Sequence, residues 1–312
     1  MSSNNFSNLA PYYDAVKKIA PELISRLFCT NTSAQISTGH EGLKGSKILT
    51  ELILGDLAFR WAKEHNPRAN TFDYQPRELS VSKAKADFSV CPQEYEDTYH
   101  AYMRRTGQNP KDWPFQAFIL MKVIEKLQSE INVALWQAEK ADVLSDDHKL
   151  ELLFDGWIRN AFDAVDATDL SLFAPAGTSW VDDIEAMEDA LDNCLFDQPG
   201  NVECYLPVSI YRSYIRDYRE RFGKYVEVFH NADKSKSYMT DNGTVLRPMT
   251  GMNDEYVMMT FKGNLHHGYD AAMDERLINL EYNKRVIDGW IDFNIGTQIG
   301  IARDGVMVFA EV

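Results

Sequence analysis

The sequence predicts an α+β fold on three observations: one long amphipathic helix ahead of the middle of the chain, further helices between 146 and 222, and short strand-like runs towards both ends. Its 312 residues suit two domains better than one. With 45% hydrophobic and 25% charged residues, the composition is globular, and a core can form without disulfides or metals. Disordered, collagen-like and low-complexity classes are excluded. The net charge is −15, which disfavours strong non-specific gripping of a phosphate backbone. Cys29, Cys91, Cys194 and Cys204 form no CxxC pair and are expected as buried or half-buried free thiols. The chain does not open on a basic stretch followed by an apolar run, and no run nears the ~20 apolar residues of a membrane span. A reducing cytoplasm is therefore the expected setting.

Residues 1–45 read as an arm: a short amphipathic piece from Tyr12 to Leu27, then a Ser/Thr/Asn/Gly stretch from Thr30 to Gly45 that favours loops and turns. Residues 46–92 read as a projecting β-hairpin. Ile48 to Leu54 is one strand, Asn66 to Asn70 is turn chemistry, and Glu78 to Val90 alternates as the second strand, with one slip near Ser82. A hairpin alone is marginal in water, so this one needs something to lie on.

Residues 112–140 give the helix. Asp112 is its expected N-cap and Pro114 sits in the first turn. Ala117, Leu120, Ile124, Leu127, Ile131, Leu135 and Ala138 form one apolar stripe, over roughly 40 Å of helix. Next come a helix from Leu150 to Phe162, a helix starting near Ser179, a strand from Val202 to Leu206, and a helix opened by Pro207 and closed by Gly223. Strands are expected at Tyr225–His230, Val245–Met249, Tyr256–Phe261, Leu277–Tyr282, Val286–Phe293, Gln298–Ile301 and Val306–Phe309.

Chemistry-bearing patterns are scarce. No GxSxG, HExxH, GxGxxG or DxDxDG motif is present. Gly42-Leu43-Lys44-Gly45-Ser46-Lys47 lacks the contiguous Gly-Lys-Ser/Thr of a phosphate loop and reads as a basic junction between arm and hairpin. His266-His267 reads as a turn beside Gly268, since neighbours on a strand point apart and rarely share a metal. Asp182, Asp183, Glu185, Glu188, Asp189 and Asp192 read as a solvated helix face. The tyrosines between Tyr205 and Tyr225 suit either a contact surface or a core rim. No catalytic, cofactor-binding or metal-binding residues are assigned. What the parts describe is a subunit that folds around copies of itself.

Three stretches carry a resemblance. They are Thr98-Tyr99-His100-Ala101-Tyr102 through Gly107-Gln108-Asn109-Pro110 to Trp113-Pro114-Phe115; Val202-Glu203-Cys204-Tyr205-Leu206-Pro207 with Tyr211, Tyr214 and Arg219 to Gly223; and Asn264 to Asp270 with Arg285 to Ile301. Together they resemble the major capsid proteins of tailed bacteriophages with the HK97-type fold, most like those of phages infecting Bacteroidetes. Gly42 to Gly45 is a weaker match to the arm junction of that family.

The resemblance implies an N-terminal arm (1–45), an extended hairpin loop (46–92), a peripheral domain with a spine helix (93–144), an axial domain (145–265) and peripheral C-terminal strands (266–312). It implies a structural role rather than catalysis, with no cofactor. Subunits would assemble as hexamers and pentamers into an icosahedral virion shell, built in the host bacterial cytoplasm. The shell would enclose double-stranded DNA without sequence-specific contacts. Its partners would be other copies of the chain, a portal, and scaffolding or decoration proteins, with no membrane. Leu79, Val81, Phe88, Lys44 and Lys47 are the expected intersubunit contacts. The alternatives are an encapsulin-like cargo shell, a tail or accessory protein, and an α+β enzyme built on His230 with Asp233 or His266 with Asp270.

Overall fold

The computed structural model describes residues 32–54, 72–91, 100, 115–143, 149–177, 179–223, 228–230, 236–270, 278–283 and 286–312. In chain order the first elements are α1 (Thr32–Ile36), β1 (Thr38–Glu41), β2 (Ser46–Leu54), β3 (Phe72–Ser80), β4 (Ser82–Val90) and α2 (Phe115–Gln137). Then come α3 (Trp157–Asp166), β5 (Leu172–Phe173), α4 (Trp180–Asp189), β6 (Val202–Pro207) and α5 (Val208–Phe222). The remainder is β: β7 (Val228–His230), β8 (Lys236–Met239), β9 (Val245–Met249), β10 (Tyr256–Phe261), β11 (Leu265–Tyr269), β12 (Ile278–Asn283), β13 (Val286–Ile299) and β14 (Met307–Glu311).

The apolar stripe explains α2. Leu120, Ile124, Leu127, Ile131 and Leu135 recur every three or four residues and all are buried. At 23 residues the helix is about 35 Å long. Its expected cap at Asp112 lies outside the described residues. The stripe shares one core with Ala84 of β4, with Ile291, Phe293 and Ile295 of β13, and with α3. Trp136, near the end of α2, meets Trp157 edge to face at 4.9 Å.

Three sheets organise the strands. One runs β1-β11-β13-β12, with β4 also paired to β13. Because β4 and β12 share partners on β13, they lie on its opposite edges. The second runs β5-β14-β10-β6-β9-β8-β7. The third is the β2–β3 hairpin. In the seven-stranded sheet every residue of β6 is buried, as expected for a strand covered on both faces. Val202, Cys204 and Leu206 join Val181, Ile184 and Tyr214 of α4 and α5, while Tyr205 joins the core of Trp136 and Phe309. The caps fall where the sequence puts them: Ser179 Oγ accepts from the Val181 N–H at 3.3 Å, and Gly223 closes α5 at φ 86°.

Several expectations are corrected. The stretch from Thr30 to Gly45, read as loop, contains α1 and β1. Ser33 is buried, donates to Asn132 Oδ1 at 2.6 Å, and accepts from Trp136 Nε1–H at 2.8 Å. β1 pairs in parallel with β11. Tertiary partners override the local turn preference here, so the chain from 32 onward is part of the fold rather than an arm. Residues 1–31 lie outside the described residues.

Glu78 to Val90 is two strands, not one. Val81 falls between β3 and β4, its N–H bonded to the Gly45 carbonyl at 3.1 Å, and the side-chain alternation resets there. The slip near Ser82 is the point where the chain leaves the hairpin for the sheet, so 82–90 is not hairpin. Val286–Phe293 and Gln298–Ile301 are largely one strand, β13. β5, β8 and β11 have no counterpart among the expected strands, and His266-His267 lies within β11 rather than in a turn. The helix from Leu150 is a short 3₁₀ turn at Leu150–Leu152 followed by α3. The division at 265/266 does not follow the sheets, because β14 pairs with β10 in the seven-stranded sheet. Cys204 is buried and Cys91 half-buried, but Cys194 is exposed.

Candidate assembly surfaces

The hairpin is positioned by a notch in the five-stranded sheet. Gly268 of β11 and Gly296 of β13 are opposite each other in register. A Cβ on Gly296 would lie 2.0 Å from the Ser80 carbonyl oxygen, and one on Gly268 would lie 2.8 to 2.9 Å from Leu43 and Val81 side chains. Two paired residues without side chains thus let the 79–81 segment cross the sheet in direct backbone contact. Leu79 plugs the crossing and is 0% exposed. Gln298 Nε2 donates to the Glu78 carbonyl at 2.9 Å, and Arg77 donates to the Ala302 carbonyl at 3.0 Å and pairs with Asp169 at 3.3 Å.

Cross-strand register then sorts the hairpin's two faces. Lys47 is opposite Leu79 and Leu49 opposite Arg77, on the face turned to the body. Ile48 is opposite Glu78 on the other face and is 60% exposed. Such a large apolar group, held out on a strand by an anchored base, is a surface that a second molecule can cover.

A chain of rings ties the hairpin base to the sheet. Lys47 Nζ donates to His40 Nδ1 at 3.0 Å, which leaves the His40 proton on Nε2, facing His266 Nδ1 at 3.0 Å. The two rings stack at 5.1 Å. Trp157 Nε1–H donates to the His266 carbonyl at 3.0 Å. His267 points to the opposite face, where its Nδ1 lies 2.8 Å from Ser37 Oγ and its ring stacks on Tyr269. Burial holds His266 and His267 down to about 4, with lesser help from neighbouring positive charge. His40 is lowered too, by burial and then by Lys47. His266 and His267 are therefore neutral near pH 7, which leaves His266 Nδ1 able to accept from His40.

The expected contacts are thus divided. Leu79 is enclosed by its own subunit and offers no surface to a neighbour. Val81 is half-buried over Gly268, and Phe88 packs on Phe118 and Ile119 of α2. The alternating apolar face of 78–90 looks inward because β4 lies on the long helix. Lys44 and Lys47 are exposed, with Lys47 already bonded to His40. The outward group, Ile48, was assigned only to a strand. The signal that finds it is the register set by Gly268 and Gly296.

Other candidate chemistry resolves into structure. His266 pairs with His40, and Asp270 lies four residues along, about 13 Å away on an extended strand. Asp233 lies outside the described residues, so its pairing with His230 does too. In the acidic helix Asp183 and Glu188 are buried, correcting the solvated reading. Asp183 accepts from the Ala176 N–H at 2.8 Å, and Glu188 accepts from Thr240 at 2.5 Å and Asn242 at 2.7 Å. Tyr205, Tyr211 and Tyr214 are core residues. An open groove lies beside Glu139, Asp155, Arg159 and Asp163. Burial raises Asp163 against the pull of Arg159, yet Asp163 and Glu139 both pair with Arg159, and Asp155 caps the Lys140 N–H at 2.9 Å. Among the described residues, no cluster of three metal-ligating side chains forms, and no helix is long and apolar enough to cross a membrane.

Comparison with solved structures identifies the architecture. A chain of the satellite phage P4 procapsid matches with a TM-score of 0.56 at 11% identity, covering 94% of this chain and 90% of its own. The capsid of cyanophage A-1(L) matches with a TM-score of 0.56 at 11% identity, covering 88% and 90%. The SrpI encapsulin of Synechococcus elongatus matches with a TM-score of 0.51 at 12% identity, covering 92% and 88%. No protein-family model matches the chain, and no curated protein sequence does. The architecture is shared along nearly the whole length: the chain has the HK97-like capsid fold, an α+β fold common to phage capsids and an encapsulin.

Proposed function

We propose that this chain is a shell-forming subunit, the major capsid protein of a tailed phage. The observation that carries the reading is the likeness to a procapsid chain over 94% of this chain and 90% of the other. The anchored hairpin with Ile48 facing outward supports it. In this reading hexamers and pentamers close an icosahedral head around double-stranded DNA. A portal and scaffolding or decoration proteins take part, and the shell is assembled in the host cytoplasm. The hairpin lies across a neighbouring copy, with Lys44 and Ile48 in the contact. Each contact is modest, and many made at once give the shell its stability. The charge of −15 suits a container that must let the duplex slide rather than bind it.

A cargo compartment is the second reading, favoured by the likeness to the SrpI encapsulin. One experiment addresses both. The chain is expressed alone and within its native genomic neighbourhood, and particles are imaged by negative-stain electron microscopy. Shells that contain nuclease-protected DNA, with this chain as the dominant protein, are the expected outcome. Shells that contain protein cargo and no DNA select the second reading. A chain that stays monomeric and is missing from viral particles overturns both.

A further inference from the structure

Among the described residues, three exposed arginines of helix α5 have no carboxylate partner; Arg216 donates only within its own helix, to the Arg212 carbonyl and Ser213 Oγ. The fifteen residues of α5 include four arginines and no lysine. Arg212, Arg216 and Arg219 are all exposed and recur at i, i+4 and i+7, a stripe about 10 Å long. The side of α5 facing α4 is marked by Asp217, which accepts from the Trp180 N–H at 3.0 Å, and by Arg221, which pairs with Asp182. At about 100° per residue, Arg212 and Arg219 lie roughly 160–180° around the helix from Arg221. The stripe therefore points away from the acids of its own α4.

Helix α4 carries a matching stripe. Asp182, Glu185 and Asp189 are exposed at i, i+3 and i+7, while Asp183 and Glu188 are buried in internal bonds. Asp182 stays 48% exposed even while paired with Arg221. Read antiparallel, the order Arg219, Arg216, Arg212 has the same spacing as Asp182, Glu185, Asp189. Beside the arginines Phe222 is 51% exposed. Arginine and aromatic residues are enriched at interface centres and lysine is depleted there, and the guanidinium fork suits paired bonds to carboxylates.

We propose that the arginine stripe of α5 docks on the acidic stripe of α4 in a second copy of this chain. Arg219 lies opposite Asp182, Arg216 opposite Glu185 and Arg212 opposite Asp189. The contact joins two different patches, so it can repeat from copy to copy, and it closes into a ring where the rotation between copies allows. The proposal rests on the shell-subunit reading and assigns the chemistry of one of its contacts.

The test is charge exchange. Three variants are compared with the wild type: R212E/R216E, E185R/D189R, and the two sets combined, with Arg219 and Asp182 left unchanged because Asp182 also pairs with Arg221. The assembled fraction is read by sedimentation and electron microscopy, and folding by circular dichroism. Each one-sided set is expected to lower the assembled fraction roughly tenfold in a folded chain, and the combined set to restore it to within about twofold. Normal assembly of R212E/R216E overturns the docking and leaves the shell reading standing. So does a folded combined set that fails to recover. Shells that form normally but lose their protected DNA assign the stripe to nucleic acid and overturn it as well. A wild type that forms no particles removes the shell reading itself, and the docking with it.

Discussion

The seven-stranded sheet and the β2–β3 hairpin use the same strand chemistry to opposite ends. In the sheet, β6 has neighbours on both edges and a layer on both faces, and even its carboxylate is enclosed. In the hairpin, the base is locked by Leu79 and Arg77, while Ile48, paired with the Glu78 between them, stands in solvent. One region completes its burial inside the subunit. The other is held at its root and leaves one large apolar side chain, Ile48, uncovered. Stability and assembly therefore reside in different residues, and substitutions can separate them.

The largest effect is expected in the sheet. Glu203 is 1% exposed and is held by Arg247 Nη2 at 2.7 Å and by the Tyr205 hydroxyl at 2.9 Å. Burial and this carboxylate also push the Tyr205 hydroxyl well above the ordinary tyrosine value. Arg247→Met strips the buried charge of its counter-ion, and should cost about 3–5 kcal/mol in urea unfolding. Adding Glu203→Gln removes the stranded charge and should recover part of that loss. A single variant as stable as wild type would mean that the sheet is less closed than its burial indicates.

A smaller effect is expected at the root of the hairpin, from acid. His266 and His267 titrate near 4 in the fold, against about 6.5 in an unfolded chain. Between those values the unfolded chain binds more protons, so their contribution is present above pH 6.5 and is lost as the pH falls towards 4. On the order of 3 kcal/mol is at stake at the more deeply buried His267, and less at His266, where solvent screens part of the effect. Protonating His40 or His266 also removes an acceptor from the Lys47 chain. Amide exchange at Lys47 and Ile48 should then rise at pH 5 before that of β6 does. Equal protection in both regions down to pH 4 would show that the ring chain does not lock the hairpin.

How much of this was legible in sequence follows the range of the forces involved. The stripe of α2, the Ser179 cap and the Pro207–Gly223 frame of α5 are local signals, and they locate their helices to within a few residues. The expected contacts failed for a non-local reason. The alternation at 79–90 correctly marks an apolar face, but only pairing of β4 with β13 turns that face onto α2. Gly268 and Gly296 lie 28 residues apart in one stretch of the sequence, and only the register of β11 and β13 makes them one notch. β1 and β11 depend on each other as well, which is why both looked like turns.

The smallest effect on the subunit is expected from Ile48→Asp, and it is the sharpest use of the comparison. Ile48 is 60% exposed, and its cross-strand partner Glu78 is exposed too, so the new carboxylate stays hydrated. Unfolding free energy should change by no more than about 0.5 kcal/mol. In an assembled shell the same carboxylate would face the apolar cover supplied by a neighbour, where an unpaired charge is costly. Particle yield should therefore collapse while the unfolding curve stays in place. Wild-type yields from this variant would show that the outer face of the hairpin is left bare in the assembly and that particle formation rests on other surfaces.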